Sequence, residues 1–467
     1  MPLISTLVFT ASATAWSAAR APMTALRPAA APMRVFATTA MPSSSATAVV
    51  EPYDEWTQKL DYTAFREEVH QLGERLADNQ GKADTDHLNK MIRWSNVCGL
   101  VGMATMWTRP FNPVSVMALS LWTMSRWTMI AHHTCHGGYN RQDDGTGRFT
   151  SKGFAVGSTV ARVRDWFDWM LPEAWNVEHN NLHHYRLGER GDPDLVERNM
   201  DMIRQLPVPR PLKYLVVAGL AAIWKWYYYA PNTYKQLKIQ EMRKAGVDVS
   251  EEDAHAAFTL MHVPTEEGKK FGISAWGFMR KVMGPYLFLR FLLLPAPLLL
   301  INRAFFSAAV VNLVLADIVS NIHSFIIIAT NHAGDDLYKF ENSVAPRSGS
   351  FYMRAITSSV NFRTAGGIGK DGKARKVHGH RADLNDFMHG WLNYQIEHHA
   401  WPQLSMLSYQ KAAPELRAIC EKHDVPYVQH NVFKRLKKTA DIMVGATSMR
   451  PFDETWEHEP DKFVWRN

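Results

Sequence analysis

The chain has 467 residues, of which 46% are hydrophobic and 11% aromatic, and its formal net charge is +7. A positive balance suits either nucleic acid or an anionic membrane surface, but no basic block with interleaved aromatic residues occurs, which argues against nucleic acid. The three cysteines, Cys98, Cys135 and Cys420, form no CxxC pair. The sequence therefore excludes a disulfide framework, a thiolate zinc site and an iron–sulfur cluster built within the chain.

The first fifty residues have a composition of their own. They contain no Asp or Glu, are rich in Ala, Ser and Thr, and carry Arg20, Arg27 and Arg34. This pattern is typical of an organelle transit peptide, and the apolar stretch 3–19 also allows a two-step plastid leader. The alternative is a disordered tail that carries no targeting signal. We predict that residues 1–50 are a transit peptide and that the protein lies in a plastid membrane.

Four apolar runs follow a polar, helix-prone segment at 51–90. They cover residues 91–108, 111–131, 282–301 and 304–330, and the two members of each pair are separated only by Arg109-Pro110 or Asn302-Arg303. Each run approaches the length of about 20 residues that a membrane-spanning helix needs. Buried core helices of a soluble protein are the alternative. We predict an all-α fold: a four-span transmembrane bundle with an aqueous helical cap, a membrane domain at 91–435 and a tail at 436–467.

A fifth apolar stretch, 211–230, contains Lys213 and Lys225 and ends in a run of aromatic residues. A third crossing between the histidine motifs described below would place those motifs on opposite sides of the membrane. Lysine and aromatic side chains are well suited to the membrane interface. We therefore expect this segment to lie in the interface rather than to cross the membrane.

Eight histidines recur at metal-ligand spacing beside these runs. His132 and His136 are one helical turn apart, as are His179 and His183, so each pair shares a helix face. His184 adjoins the second pair, His398 and His399 are adjacent with Gln395 one turn earlier, and His332 ends the fourth run. The predicted metal ligands are His132, His136, His179, His183, His184, His332, Gln395, His398 and His399.

So many imidazoles exceed the needs of one zinc or one iron ion and suit two metal ions with an open position. Imidazole binds iron, copper or zinc. The paired Glu and Glu-x-x-His motifs of carboxylate-rich di-iron bundles do not occur. Two irons would provide redox chemistry with O₂, whereas zinc would indicate hydrolysis.

Five other histidines have plainer interpretations. We expect His255, His262, His323 and His389 to be ordinary structural residues, and His133 to support the first motif rather than bind metal. Four acids could orient imidazoles through their free N–H groups, or could be surface charges. They are Glu178, Asp192, Asp335 and Glu397.

Over residues 90–430 these motifs resemble the membrane fatty-acid desaturase family, whose boxes read HxxxH, HxxHH or HxxxHH, and QxxHH or HxxHH. The stretch 389–402 is similar to the third box of front-end acyl desaturases. The resemblance implies a four-span helical fold with two iron ions in an aqueous cap. It also implies O₂-dependent insertion of a double bond into an acyl chain held in a kinked apolar tunnel. His332 matches the extra histidine that the family places between boxes two and three.

One departure concerns the source of electrons. Many front-end members carry a fused cytochrome domain with an HPGG haem motif, but His136-Gly137-Gly138 lacks the proline and belongs to the first box. The resemblance therefore implies an external electron donor, either ferredoxin or a separate cytochrome. Together with the leader, this favours ferredoxin in a plastid.

The function predicted from the resemblance is desaturation of an acyl chain of a membrane lipid. A hydroxylase acting on an acyl lipid, a sphingolipid or a carotenoid needs the same ligands and oxidant, and small differences in substrate placement decide between them. A non-catalytic lipid-binding protein that retains the metal site is a third interpretation. A protein that only binds lipid has no need for redox metals, which argues against this interpretation.

Overall fold

The structure, a computed structural model, describes residues 51–166, 168–363 and 380–463. The predicted transit peptide at 1–50 lies outside the described residues. Within them the chain is mostly helical, which confirms the predicted all-α class. The principal helices are α1 (Tyr62–Asp78), α2 (Lys82–Thr105), α3 (Pro113–Met124), α4 (Arg210–Trp224), α5 (Ala230–Lys244), α6 (Arg303–Ile328), α7 (Gly349–Thr357), α8 (His380–Met388), α9 (Gln395–Ala400), α10 (Met406–Lys422) and α11 (Val432–Met443).

Short helical turns connect these helices, and the described residues also contain three pairs of two-residue strands. The strands are β1 (Tyr338–Lys339), β2 (Ser343–Val344), β3 (Asn361–Phe362), β4 (Gln429–His430), β5 (Arg450–Pro451) and β6 (Lys462–Phe463). β1 pairs with β5 and β3 with β4 in parallel, and β2 pairs with β6 antiparallel. Each pair joins segments that are far apart in sequence. Helix α2 runs across the predicted boundary at residue 90, and α11 runs across the one at 435.

The first pair of apolar runs forms a helical hairpin of α2 and α3. Asn112 caps α3, since its side chain accepts hydrogen bonds from the first backbone N–H groups of that helix. The backbone N–H of Asn112 donates to Asn312 Oδ1 of α6 at 2.8 Å, and Asn312 Nδ2 donates to the carbonyl of Met106 at 2.8 Å. One buried amide of α6 thus holds the tight turn of the first hairpin.

The second pair of runs contains the long apolar helices. Among the described residues, two helical stretches are long and apolar enough to cross a membrane, Ala275–Leu300 and Arg303–Asn331. Large apolar side chains are exposed at the tips of both hairpins: Phe111 is 70% exposed and Leu300 91%. An apolar rim of this kind suits contact with lipid. The two helical hairpins agree with the prediction. That the chain crosses the membrane four times stays a prediction.

Helix α4 covers most of the segment predicted for the membrane interface. Its apolar side chains Leu212 and Leu215 are exposed, as an interfacial helix requires. The two lysines of the segment 211–230, expected to reach the interface, are buried instead. Lys213 donates to the carbonyl of Arg204, and Lys225 forms a 2.8 Å ion pair with Asp168. A buried charge needs a partner, and for Lys225 that partner lies 57 residues earlier in the chain.

Candidate metal centre

The first two histidine motifs and His332 lie beside helical turns that depart from regular α geometry, whereas His398 and His399 lie within the short helix α9. Helix α3 continues as a π-helical turn, Ser125–Ala131, which leads into His132. A second π-turn, Asn176–Asn180, contains His179. Such turns are rare and concentrate at functional sites, because they re-aim side chains that a regular helix would spread around its axis.

The structure brings the eight predicted histidine ligands into two groups. The five-histidine group contains His132, His136, His179, His184 and His398, and the three-histidine group contains His183, His332 and His399. Within each group, the candidate ligand atoms lie within 4.8 Å of one another. Neighbouring residues separate: His183 and His184 enter different groups, as do His398 and His399.

Distances between ring nitrogens test whether the groups fit metal ions. Nε2 of His179 lies 2.9 Å from Nε2 of His132 and 3.3 Å from Nε2 of His184. In the three-histidine group, Nε2 of His332 lies 3.0 Å from Nε2 of His399. Ligands bonded at about 2.1 Å to one metal ion at right angles stand about 3.0 Å apart. The spacing therefore suits one metal ion in each group.

Hydrogen bonds on the far sides of the rings leave Nε2 as the ligand atom. Nδ1 of His132 lies 3.1 Å from the carbonyl of Thr128, and Nδ1 of His332 lies 3.0 Å from that of Ile328. A carbonyl only accepts, so each Nδ1 carries the proton and each Nε2 lone pair is available to a metal.

A carboxylate orients His183. Nδ1 of His183 lies 2.8 Å from Oδ1 of Asp192, and the backbone N–H groups of Gly188 and Asp194 also donate to this carboxylate. Burial raises the pKa of Asp192, but His183 and these backbone donors outweigh it and hold that pKa below its usual range. Asp192 thus has the orienting role that the sequence left open.

The pKa values of the neighbouring imidazoles favour metal binding. Burial, reinforced by adjacent histidines, lowers the pKa of His136, His179 and His184 well below the usual value. A neutral imidazole is the form that binds a metal. These rings therefore present free lone pairs at physiological pH.

The other three acids contact no imidazole through a described hydrogen bond. Glu397 accepts hydrogen bonds from Asn361 and Tyr427. Asp335 pairs with Lys438 near the surface. Glu178 is buried, and a side-chain hydrogen bond joins its carboxyl group to that of Asp194.

Asp194 is a residue that the sequence interpretation missed. Its carboxylate forms a group with His179 and His183, one from each histidine group, with the ligand atoms within 4.8 Å of one another. The signal was present in the sequence, since Asp194 lies two residues after Asp192 in the loop that follows the second box.

Gln395 begins α9 and is buried, and its amide oxygen has no hydrogen-bond partner among the described residues. Its role as a ligand stays a prediction. His133 lies outside both groups, with Nδ1 directed at the carbonyl of Met129. The four histidines that we expected to be structural make ordinary contacts: His323 with Met388, His389 with Asn385, His262 with Thr259 and His255 with Glu251.

A mostly apolar cavity of about 460 Å³ reaches both groups, since His179, His183 and His332 line it. Trp224 and the consecutive residues 227–229, all tyrosines, form an aromatic wall. The three tyrosines belong to the π-turn Lys225–Tyr229, a rare form of helix that occurs frequently at functional sites. Exposed Met202 and Val216 also line the cavity, so it opens at the surface beside α4.

A polar cleft of about 1150 Å³ adjoins the cavity, and Asn199 and Ala257 line both. The cleft contains arginines and glutamates, among them Arg190 and Glu252. Together the cavity and cleft offer an apolar compartment beside the metal centre and a polar compartment beyond it. An amphipathic molecule fits this combination.

Comparison with known proteins gives a family match over most of the chain. Residues 110–431 match the family model described as "Fatty acid desaturase". The chain is 36% identical over 70 residues to "Fatty acid desaturase 2-like protein FADS2B" of Mus musculus, a match that covers 14% of each chain. It is 40% identical over 47 residues to "Delta(8)-fatty-acid desaturase" of Euglena gracilis, covering 10% of this chain and 11% of that protein.

A third relative is the "NADPH-dependent stearoyl-CoA 9-desaturase" of Mycobacterium tuberculosis (strain ATCC 25618 / H37Rv). It is 27% identical over 128 residues, which are 27% of this chain and 26% of that protein. These matches therefore span only a small part of the relatives' length. No solved structure matches the chain.

Proposed function

The chain belongs to the fatty acid desaturase family, an oxidoreductase family that acts on fatty acids, and we propose that it inserts a double bond into an acyl chain of a membrane lipid. In the overall reaction two C–H bonds break and one C=C bond forms. One O₂, two electrons and two protons are consumed, and two waters are released. The observation that carries the proposal is the apolar cavity, which reaches ligands of both histidine groups.

The two histidine groups would hold two iron ions. When bound, these ions supply the redox chemistry with O₂ that side chains alone lack. The protein's own part is positioning. Asp192 fixes His183, and the wall of Trp224 and the three tyrosines aligns the acyl chain beside the centre and excludes water.

The membrane setting is part of the proposal. A lipid acyl chain would reach the cavity from the apolar surface beside α4, while the two helical hairpins cross the bilayer four times. We propose a plastid membrane as the location, and ferredoxin or a separate cytochrome as the donor of the two electrons. The acid-poor leader and the lack of an HPGG motif support these two points.

Front-end selectivity is the finer part of the proposal. The third box and the similarity to a protein named as a Delta(8) desaturase support it. The polar cleft beside the cavity supports a substrate with a large headgroup, since such a group would remain in the cleft while the chain enters the cavity.

The test is lipid profiling by mass spectrometry after expression of the chain, with ferredoxin and its reductase, in a host with simple lipids. We expect an acyl species lighter by two hydrogens, and its fragmentation places the double bond. A product heavier by one oxygen would instead indicate the hydroxylase. Unchanged lipids in a protein shown to contain two irons would contradict the proposal.

Two variants serve as controls. His399→Ala removes a ligand of the smaller group and should give no product. Val217→Trp adds bulk to the cavity wall, which Val217 lines, and should stop turnover of long chains while the iron content stays unchanged. If Val217→Trp gives no product although its iron content is unchanged, the reaction takes place at this cavity.

A further inference from the structure

The aromatic wall of the apolar cavity is formed by the last residue of α4 and the π-turn that follows it. The rings of Trp224 and Tyr229 are stacked, with their centres 5.1 Å apart, and both residues line the cavity. Lys225, which follows Trp224 in the chain, is buried and does not line the cavity. The contacts that Trp224 and Lys225 make with the rest of the protein therefore decide where the wall lies.

Asn321 of α6 holds this segment by two hydrogen bonds. Its side-chain oxygen Oδ1 accepts from the backbone N–H of Lys225 at 3.2 Å, and its backbone carbonyl accepts from Nε1 of Trp224 at 2.9 Å. Nδ2 of Asn321 donates to the carbonyl of Asp317 at 3.0 Å, one turn earlier in the same helix, and this bond fixes the orientation of the amide. Asn321 is fully buried. Its hydrogen bonds therefore do not compete with water, and they are stronger than they would be in solvent.

A buried ion pair holds the π-turn from a second side. Nζ of Lys225 lies 2.8 Å from Oδ2 of Asp168 and 5.1 Å from the centre of the Trp127 ring. The rings of Trp127 and Trp224 are also in contact, with their centres 6.2 Å apart. Trp127 belongs to the π-turn that leads into His132. The aromatic wall and the first histidine motif thus pack against the same tryptophan.

One face of α6, continued by the short turn after it, connects Asn321 with the metal centre. Phe325, Ile328 and His332 follow Asn321 at intervals of four, three and four residues, which is the spacing of neighbours on one helix face. These three residues line the cavity and Asn321 does not. Along this face the lining therefore ends at Phe325, whose ring contacts that of Trp224 at 6.2 Å between centres. Asn321 holds Trp224 at the end of this row, away from His332.

Placement is what selects a carbon atom in an acyl chain. Consecutive methylene groups are chemically alike, so a site distinguishes them only by how far the chain enters and where it bends. Such a site depends on wall side chains whose positions are fixed by the residues behind them. Asn321 and Asp168 are residues of this kind, since both contact the segment that forms the wall and neither lines the cavity.

We propose that Asn321 is a positioning residue. It fixes the aromatic wall and thereby determines which carbon atoms of the acyl chain lie beside the two histidine groups, and Asp168 supports the same wall through Lys225. The selection of carbon atoms rests on the proposed function. The anchoring of the wall rests only on the hydrogen bonds of Asn321.

Asn321→Ala removes the side chain that accepts from the backbone of Lys225, and the lipid profile measures the result. We expect the parent protein to give one main double-bond position. In the variant a second position, displaced along the chain, should rise severalfold in its share of the product. The iron content should stay the same, since no contact of a histidine ligand is removed. An unchanged double-bond position in a folded variant, whatever its yield, would overturn the proposal.

Trp224→Phe tests the same anchor from the other side. Phenylalanine keeps an aromatic ring in the wall but lacks the indole N–H that donates to the carbonyl of Asn321. This variant should also displace the double bond, and it decides the question if Asn321→Ala does not fold. A single double-bond position identical to that of the parent protein would count against the anchor.

Asn312→Ala is the matched control. Asn312 is likewise a buried asparagine of α6 whose side chain makes hydrogen bonds, but these hold the turn of the first hairpin rather than the aromatic wall. Its loss should lower stability and yield without moving the double bond. An equal displacement in Asn312→Ala and Asn321→Ala would indicate a general loosening of α6 and would overturn the proposal.

Hydrogen–deuterium exchange, followed by mass spectrometry, measures the anchoring without turnover. In Asn321→Ala the backbone N–H groups of residues 225–229 should exchange severalfold faster than in the parent protein, because the segment opens more easily. Asn312→Ala should leave their exchange unchanged. Equal exchange in Asn321→Ala and the parent protein would overturn the anchoring. If the parent protein leaves all lipids unchanged, the proposed function fails, and the exchange rates alone decide whether Asn321 holds the wall.

Discussion

The five-histidine group and the three-histidine group are built differently. The larger group draws on all three boxes, and its rings lie in mutual contact. The smaller group takes one histidine from the second box, one from the third, and His332. Sequence motifs therefore do not correspond to the candidate metal positions. Two adjacent residues on a helix point about 100° apart, which is enough to serve two metal ions.

The supports of the two groups also differ. In the larger group, His132 is fixed by a backbone carbonyl of its own helix, four residues earlier. In the smaller group, His332 is fixed in the same way by the carbonyl of Ile328, but His183 is fixed by the carboxylate of Asp192, which lies in a loop nine residues later. With fewer ligands and a side-chain support, the three-histidine group should be the more sensitive to substitution.

The largest expected effect comes from the third box. His399→Ala leaves two imidazoles in the smaller group, and we expect activity to be abolished and the iron content to fall from about two per chain toward about one. His398→Ala leaves four imidazoles in the larger group, so more metal should remain there although turnover is also lost. Elemental analysis of iron and the lipid profile measure the two effects. Full iron and full turnover in both variants would disprove the ligand assignment.

The next comparison concerns the carboxylate that supports the smaller group. Asp192→Asn keeps the shape of the side chain but removes its charge, and we expect iron affinity at the smaller group to fall about 10–100-fold. Glu397→Gln is the matched control, because Glu397 adjoins His398 yet bonds Asn361 and Tyr427 instead of an imidazole. Chelator competition measures both affinities. Equal losses in the two variants would show that the orienting contact of Asp192 has no special role.

Another acid of the same loop should control stability rather than metal binding. Glu189 shares the guanidinium of Arg354 with Glu457. Burial raises the pKa of Glu189 from 4.5 to about 7 in spite of Arg354. The folded protein therefore binds more protons than the unfolded chain between these values, so the free energy of unfolding falls as pH rises from about 4.5 to about 7.

Glu189→Gln should make this pH dependence shallower. The amide stays neutral at every pH. The free energy of unfolding of the variant should therefore fall by up to about 3 kcal/mol less than that of the parent protein between pH 4.5 and about 7. Denaturant titrations of the solubilised protein at several pH values measure it. Glu341→Gln, at an exposed acid nearby, should leave the slope as it is. A steeper slope in Glu189→Gln would reverse the sign of this argument.

The sequence predicted the ligands better than their arrangement. Spacing of one helical turn identifies His132 and His136 as a pair whatever the rest of the fold does. The division of His183 and His184 between two groups depends on the backbone leaving the π-turn at Asn180, which spacing does not reveal. Whether an acid supports an imidazole is also set by tertiary contacts, so Asp192 and Glu397 were indistinguishable in the sequence.

Fold prediction shows the same limit. Hydrophobic runs identified both helical hairpins, because a run of apolar residues dictates burial or lipid contact locally. Pattern alone suggested that Lys225 reaches the interface, yet Asp168, 57 residues earlier in the chain, pairs with it in the interior. The apolar cavity beside the histidine groups likewise forms between distant segments, so no local pattern predicted it.

The smallest expected effect concerns Gln395, the one predicted ligand that is not a histidine. It stands one turn before His398, and its buried amide oxygen has no hydrogen-bond partner among the described residues. If that oxygen completes the larger group, Gln395→Ala should weaken iron binding by less than about tenfold, since five imidazoles remain. Gln395→His should retain activity, because an imidazole nitrogen can take the place of the oxygen. Chelator competition and the lipid profile compare the two variants. Complete loss of iron in Gln395→His would mean that the amide sets the geometry of α9 and does not bind metal. Since α9 carries His398 of the larger group and His399 of the smaller group, both groups would then depend on this helix.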